Sequence, residues 1–214
     1  MHLKEFVVGP VENNTFIIWN NEKEAVIIDA PAPAETVIQF VKENELKVKY
    51  ILLTHGHYDH ILGLDDLKTA TGAPVVISEG CAFMLEGDNS FPWGKPTGVK
   101  LPDTKTADLL VKDGDELLLG GVPIKVLLAP GHTPGDTVYQ IEDLLFTGDT
   151  LFAGTMGRVD LPGGSMEQLL DSLQKIKKAF SLDSKVYPGH GPSTTLSYEV
   201  KTNPYYNGRT EDDQ

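Results

Sequence analysis

Apolar residues along this chain fall in short runs separated by polar or turn-forming pairs, with a few stretches at helical spacing. Phe6-Val7-Val8, Thr15-Phe16-Ile17-Ile18-Trp19 and Ala25-Val26-Ile27-Ile28 predict three strands, with Asn13-Asn14 and Asn20-Asn21 as turns. Asp29-Ala30-Pro31-Ala32-Pro33 breaks the third, after which Val37, Phe40 and Val41 recur at helical spacing through Glu43. Val48 to Leu53 is nearly all apolar, as a strand buried on both faces would be. A helix is expected from Asp59 or His60 to about Ala70, with Ile61, Leu64 and Leu67 as its apolar face and Gly72 as its end. Pro74 to Ile77 reads as a short strand. Between Glu79 and Thr106 the pattern loosens into a short helical piece up to Glu86 and a long loop through Asp88 and Pro96.

The second half repeats this rhythm. Leu117 to Leu119 and Ile124 to Leu128, divided by Gly120-Gly121, read as one hairpin. Thr137 to Ile141 and Leu144 to Thr147, divided by Glu142-Asp143, read as another. Ser165 is placed to cap a helix carrying Leu169, Leu170, Leu173 and Ile176, and Lys185-Val186-Tyr187 is the last strand. The pattern predicts an α/β fold of two sheets packed face to face, with helices outside and a site at one edge. A length of 214 residues suits a single domain, here expected to be built of two similar halves, about 1–115 and 116–214.

Charge narrows the partners. Thirty-one acids against 18 Lys and Arg give a net charge of -13, which opposes nucleic acid and, more weakly, anionic membranes. The start of the chain has no apolar signal core, and no run approaches the roughly 20 apolar residues of a membrane span. A cytoplasmic protein is therefore expected. Cys81, the single cysteine, excludes an internal disulfide and is expected to be packed rather than reactive. Nothing in the sequence fixes an oligomeric state.

The candidate chemistry sits at the strand ends. Thr54-His55-Gly56-His57-Tyr58-Asp59-His60 follows the fourth apolar run and holds three of the six histidines. His132 and His190 each follow Pro-Gly, Asp149 follows Gly148 at the end of Leu144-Leu145-Phe146, and only His2 stands apart. His55, His57, Asp59, His60, His132, Asp149 and His190 make seven candidate ligands, too many for one tetrahedral ion and suited to a pair of cations about 3.5 Å apart. Imidazole with carboxylate favours zinc and also accepts iron or manganese. Such a pair turns a shared water into hydroxide near neutral pH, able to attack a carbonyl, with Asp59 as the catalytic carboxylate that orients it. Gly56 is read as leaving room beside the metals. Phe91 and Trp93 are candidate walls of a substrate pocket or pins for their loop. Arg158 can receive a substrate carboxylate or pair with Asp160. Lys95, Lys100 and Lys201 are further basic candidates, more simply read as solvated surface.

These motifs resemble the metallo-beta-lactamase superfamily, through the His-X-His-X-Asp-His run at residues 55–60 after an apolar strand. Gly148-Asp149-Thr150-Leu151-Phe152, Gly157-Arg158 and the stretch from Val159 to Gly164 are similar to its short bacterial glyoxalase II-like branch. The resemblance spans roughly residues 6 to 204 and implies a four-layer αβ/βα sandwich. It also implies that His55, His57 and His132 hold one metal, that Asp59, His60 and His190 hold the other, and that Asp149 bridges them. The implied substrate is a small anionic thioester such as S-lactoylglutathione. Glyoxalase II itself adds a C-terminal helical region that grips glutathione. Tyr198, Lys201, Tyr205, Tyr206 and Arg209 follow His190, but 24 residues are too few for that region, so no separate domain is expected. A related branch, the persulfide dioxygenases, implies one iron held by His55 or His57 with His132 and Asp149. Lactamase, nuclease, flavin-linked and purely metal-binding readings are weaker.

Overall fold

The computed structural model describes residues 1–86 and 99–207. The first sheet takes its strands in chain order: β1 (His2–Val8), β2 (Asn13–Trp19), β3 (Glu24–Ile28), β4 (Lys47–Leu52), β5 (Val75–Ser78) and β6 (Leu109–Val111). β1, β2 and β3 pair antiparallel, and β3 to β6 pair parallel. In the second sheet β7 (Glu116–Leu119), β8 (Val122–Leu128), β9 (Thr137–Ile141) and β10 (Leu144–Gly148) form an antiparallel meander. A small ribbon, β11 (Leu151–Phe152) with β12 (Thr155–Met156), follows. β13 (Lys185–Pro188) then pairs parallel to β10, and β14 (Thr194–Thr195) closes the edge.

Strand alternation explains the layering, because successive side chains leave a strand on opposite faces. Phe16, Ile18, Val26 and Ile28 meet Val126, Tyr139, Ile141 and Phe146 between the sheets. Ile17 and Ile27, one position along, face outward onto α1 (Glu35–Glu43) and onto α2 (Tyr58–Ile61) and α3 (Leu64–Thr71), through Val37, Ile61, Leu64 and Leu67. On the far side, Leu145 and Val186 pack under α5 (Met166–Ala179) through Leu169, Leu173 and Ile176. Each fully buried large apolar side chain contributes about 1.5–3 kcal/mol. The result is the four-layer αβ/βα sandwich, with α4 (Phe83–Glu86), α6 (Leu196–Thr202) and α7 (Pro204–Asn207) as short additions.

Two expectations are corrected. Asn13-Asn14 is the start of β2, and the turn lies at Gly9 to Glu12, where Gly9 and Glu12 take φ of 77° and 52°. Asn14 is recruited by tertiary contacts: its amide Nδ2 donates to the carbonyls of Pro188 and Gly191 at 3.0 and 2.8 Å. The helix expected from Asp59 to Ala70 is broken into α2 and α3 at Gly63, where a Cβ would overlap the Pro31 carbonyl. Its backbone N–H bonds the Ala30 carbonyl at 2.7 Å, and Ala30 N–H bonds the His60 carbonyl, also at 2.7 Å. The break lashes the histidine-bearing turn to the end of β3. The Ser165 cap forms as read, accepting from Gln168 N–H at 3.3 Å. Four of the shortest strands, β6, β11, β12 and β14, and helices α6 and α7 have no counterpart in the sequence reading. Among the described residues no helix is long and apolar enough to cross a membrane.

Candidate metal centre

Five of the seven candidate ligands come from the ends of strands or the loops that follow them, Asp59 and His60 lie in the short helix α2 just after β4, and all converge at one edge of the sandwich. Three groups have ligand atoms within 4.8 Å of one another: His55 with His57 and His132, His55 with His60 and Asp149, and Asp59 with His60 and His190. His57 Nδ1 lies 2.8 Å from His132 Nε2, and His190 Nε2 lies 3.1 Å from Asp59 Oδ2. Asp149 stands between the groups, 3.3 Å from His60 Nε2 and 3.6 Å from His132 Nε2.

Each ring is aimed by what holds its other nitrogen. His60 Nδ1 donates to Asp29 Oδ2 at 2.8 Å, and His132 Nδ1 donates to the Arg158 carbonyl at 2.8 Å. His190 Nδ1 faces the Val11 and Glu12 carbonyls at 3.0 and 3.3 Å, and His55 Nδ1 lies 3.2 Å from the Thr54 hydroxyl. Those four present Nε2 to the centre, whereas His57 presents Nδ1. Glycines make the approach possible: a Cβ at Gly189 would strike the Asp149 carboxylate and the His60 ring. Gly131, at φ 139°, lets the His132 loop run against the backbone of Leu169.

Gly56 serves a different purpose from the one expected. A Cβ there would overlap the Met84 side chain, so the missing side chain lets α4 pack directly against the histidine turn.

Burial polarises the groups. It pushes the His57 imidazole down to about 3, helped by the neighbouring His132 and His60. It likewise holds His55 well below the ordinary imidazole range. Burial would lower His60 as well, but Asp149, Asp29 and Asp59 outweigh it and keep that ring protonated. Burial would raise Asp149 and Asp59, yet the charge of His60 outweighs it and holds both carboxyls below their usual range. His55 and His57 thus offer neutral lone pairs, while the second group holds carboxylates around a proton that a cation would replace.

The fit to metal is legible in what stays unsatisfied. His55 Nε2 is buried without a hydrogen-bond partner, and His60 Nε2 and Asp149 Oδ1, 3.3 Å apart, have no well-formed bond either. Orphaned buried polar atoms are costly, and here they cluster on residues whose other atoms are tied down. The donor set, imidazole nitrogen with carboxylate oxygen and no thiolate, suits zinc, iron or manganese.

Sequence reasoning missed the supporting residues. Asp29 adopts φ 60° and accepts from His60, from Thr54 N–H and from the Thr54 hydroxyl, the last two at 2.8 Å. Its signal was available: it ends β3, beside the strand that ends in histidines. Asp136 is buried, holds Thr133 next to His132, and is raised to about 6 by that burial. The carbonyls of Val11, Glu12 and Arg158 had no sequence signal, because any residue supplies one.

The remaining candidates fall elsewhere. The Arg158 fork pairs with Asp160 at 2.7 Å on the surface, and it is the carbonyl of Arg158 that touches the centre. Lys100 pairs with Asp103 at 3.0 Å. Cys81 is buried, 3.1 Å from the Thr133 hydroxyl, with its thiol pushed up to about 12 by burial. His2 stacks on Trp19, away from the site. Phe91, Trp93 and Lys95 lie outside the described residues.

Residues 8–195 match the family model described as the metallo-beta-lactamase superfamily. The chain belongs to that superfamily. It is 33% identical to the "Probable metallo-hydrolase YqgX" of Bacillus subtilis, over 97% of this chain and 99% of that one. It is 34% identical to the "Hydroxyacylglutathione hydrolase GloC" of Haemophilus influenzae, over 98% and 100%. Among solved structures, BLEG-1, titled a B3 metallo-beta-lactamase, superposes with a TM-score of 0.90 at 34% identity, covering 97% of this chain and all of that one. TTHA1623 in a di-iron-bound form gives 0.82 at 32%, covering 94% and 99%. ETHE1 from Myxococcus xanthus gives 0.81 at 28%, covering 100% and 88%. The strand-end residues accordingly form a metal-binding, hydrolase-type site of this superfamily.

Proposed function

We propose that this chain is a metal-dependent thioesterase of the glyoxalase II-like branch, acting on a small anionic acyl-thiol such as S-lactoylglutathione. The observation that carries this reading is the likeness to the hydroxyacylglutathione hydrolase GloC along essentially the whole of both chains. His55, His57 and His132 would hold one cation and Asp59, His60 and His190 the other, with Asp149 between them. Bound there, two divalent cations supply Lewis acidity and make hydroxide available near neutral pH.

The chain's own residues favour a thioester among acyl substrates. Asp59 is partly exposed and held ionised, so its free oxygen can accept a hydrogen bond and orient an attacking water, but it has no proton to give. A thiol has a pKa of about 8.5 and leaves as thiolate without help, whereas an amine must be protonated as it departs. A site in which Asp59 and Asp149 are both held ionised is therefore better matched to a thiol leaving group. Asp29 and the Arg158 carbonyl fix the rings, so no reorganisation is needed when substrate arrives.

A second reading rests on His55 or His57 with His132, whose Nε2 lies 3.6 Å from Asp149: two imidazoles and one carboxylate, a set that also suits a single iron and oxygen chemistry of the persulfide dioxygenase kind. The test is a substrate panel on protein loaded separately with zinc and with iron: S-lactoylglutathione, a β-lactam, a phosphodiester and glutathione persulfide. The thioester is expected to give the highest kcat/KM. Faster β-lactam cleavage, or oxygen consumption with the persulfide and none of the hydrolysis, would remove the thioesterase reading.

A further inference from the structure

The ligands come from two sheets that are not continuous with one another. His55, His57, Asp59 and His60 follow β4 of the first, and His132, Asp149 and His190 follow β8, β10 and β13 of the second. A metal centre needs ligand distances right to about 0.2 Å. The apolar packing between the sheets is non-directional and by itself leaves their relative sliding loosely set.

Directional contacts occur at the root of the histidine turn. The Leu53 and Thr54 carbonyls, consecutive at the end of β4, both accept from β9 of the opposite sheet. Tyr139 Oη donates to Leu53 O at 3.0 Å, and Thr137 N–H donates to Thr54 O at 2.9 Å. Leu53 N–H stays in its own sheet, bonded to Val76 O at 2.9 Å. Thr54 precedes His55, and Thr137 lies five residues after His132, so the pair of bonds joins the segments that carry one ligand group. Tyr139 is fully buried and spans the inter-sheet core to reach its acceptor.

We propose that Tyr139 is a positioning residue for the metal centre: its hydroxyl, acting through the Leu53 carbonyl and paired with the Thr137–Thr54 bond, sets the offset between the ligand sets of the two sheets. Two bonds at neighbouring points restrain both the slide and the twist of β9 against the end of β4, while Asn14 ties β2 separately to Pro188 and Gly189 at the other ligand group. The ring alone would fill the core equally well as phenylalanine. The proposal rests on the two-cation reading of the centre and is independent of the substrate.

The test is zinc competition with a chromophoric chelator for the wild type, Tyr139→Phe and Ile141→Val, with the absorption spectrum of the cobalt-loaded form of each. Ile141 is buried on the same strand in the same core and makes a matched loss of stability without touching the two bonds. Tyr139→Phe is expected to bind zinc about tenfold more weakly, in the range for residues that orient ligands, and to shift the cobalt bands. Ile141→Val is expected to lower the melting temperature and leave both unchanged. Wild-type zinc affinity in Tyr139→Phe, or equal weakening in Ile141→Val, overturns the proposal. A second measurement needs no variant: zinc should slow hydrogen exchange of the Thr137 amide more than that of Ile141, since coupling is reciprocal. Equal slowing also overturns it. A wild type that binds no cation pair defeats the reading of the centre itself.

Discussion

The first sheet delivers His55, His57, Asp59 and His60 from one turn after β4, whereas the second delivers His132, Asp149 and His190 from three separate strand ends. In the first set, chain connectivity does much of the placing, and Asp29 clamps both ends of the turn through Thr54 and His60. In the second set, neighbouring ligands are at least 17 residues apart, and His132 and His190 lean on carbonyls from distant loops. A clustered half can be right locally before the fold is complete. A dispersed half exists only once β8, β10 and β13 have assembled into the second sheet.

The sharpest way to break this contrast is Asp149→Ala, which removes the carboxylate standing between the groups. Elemental analysis is expected to show one cation or fewer per chain, and turnover is expected to fall by more than about 100-fold, beyond the effect of residues that only orient a ligand. Two cations and full turnover in that variant would show that the second sheet contributes nothing essential at that position. In the first set, Asp29→Asn leaves the turn in sequence but loosens its clamp. Cation affinity should weaken by about 10–100-fold in chelator competition, with the far-ultraviolet dichroism unchanged. Unaltered affinity would mean that connectivity alone aims His60.

Stripping the cations probes both halves together. Ligand present at 100 times its Kd stabilises by about 2.7 kcal/mol, and a chain of this size moves about 2–4 °C per kcal/mol, so the melting temperature should drop by about 5–10 °C. A calorimetric trace that does not move on chelation would separate cation binding from folding. The smallest effect is expected from Arg158→Ala. Its guanidinium is on the surface with Asp160, and its contribution to His132 is a carbonyl that alanine keeps. Stability should change by less than about 0.5 kcal/mol, with cation content and KM unaltered. A raised KM would show that the guanidinium leaves Asp160 to take up an anionic substrate.

The same contrast governs what could be read in advance. The short apolar runs of β2 and β3, bounded by polar pairs, and the spacing of Leu169, Leu173 and Ile176 announced sheets with helices outside them, because burial writes itself into residue order. The turn at residues 55–60 was equally plain, since four potential ligands in six positions have no packing explanation. Asn13-Asn14 misled because asparagine pairs favour turns locally, and the bonds from Asn14 to Pro188 and Gly191 that override this come from the far end of the chain. The break between α2 and α3 was hidden for a similar reason: Gly63 reads as a weak helix residue, and only the nearby Pro31 carbonyl makes it a boundary. The two- and three-residue strands β6, β11, β12 and β14 are too short to carry a period.

By itself, then, the order of residues determined the layers, the family and the kinds of atom at the strand ends, because these depend on local periodicity and on side-chain chemistry. The tertiary structure decided which nitrogen of each ring faces the centre, that Asp29 and a backbone carbonyl do the aiming, and that β9 is bonded to the end of β4 across the core. Those choices depend on groups brought together from distant positions, and on backbone atoms that every residue shares, so they leave no mark in the sequence.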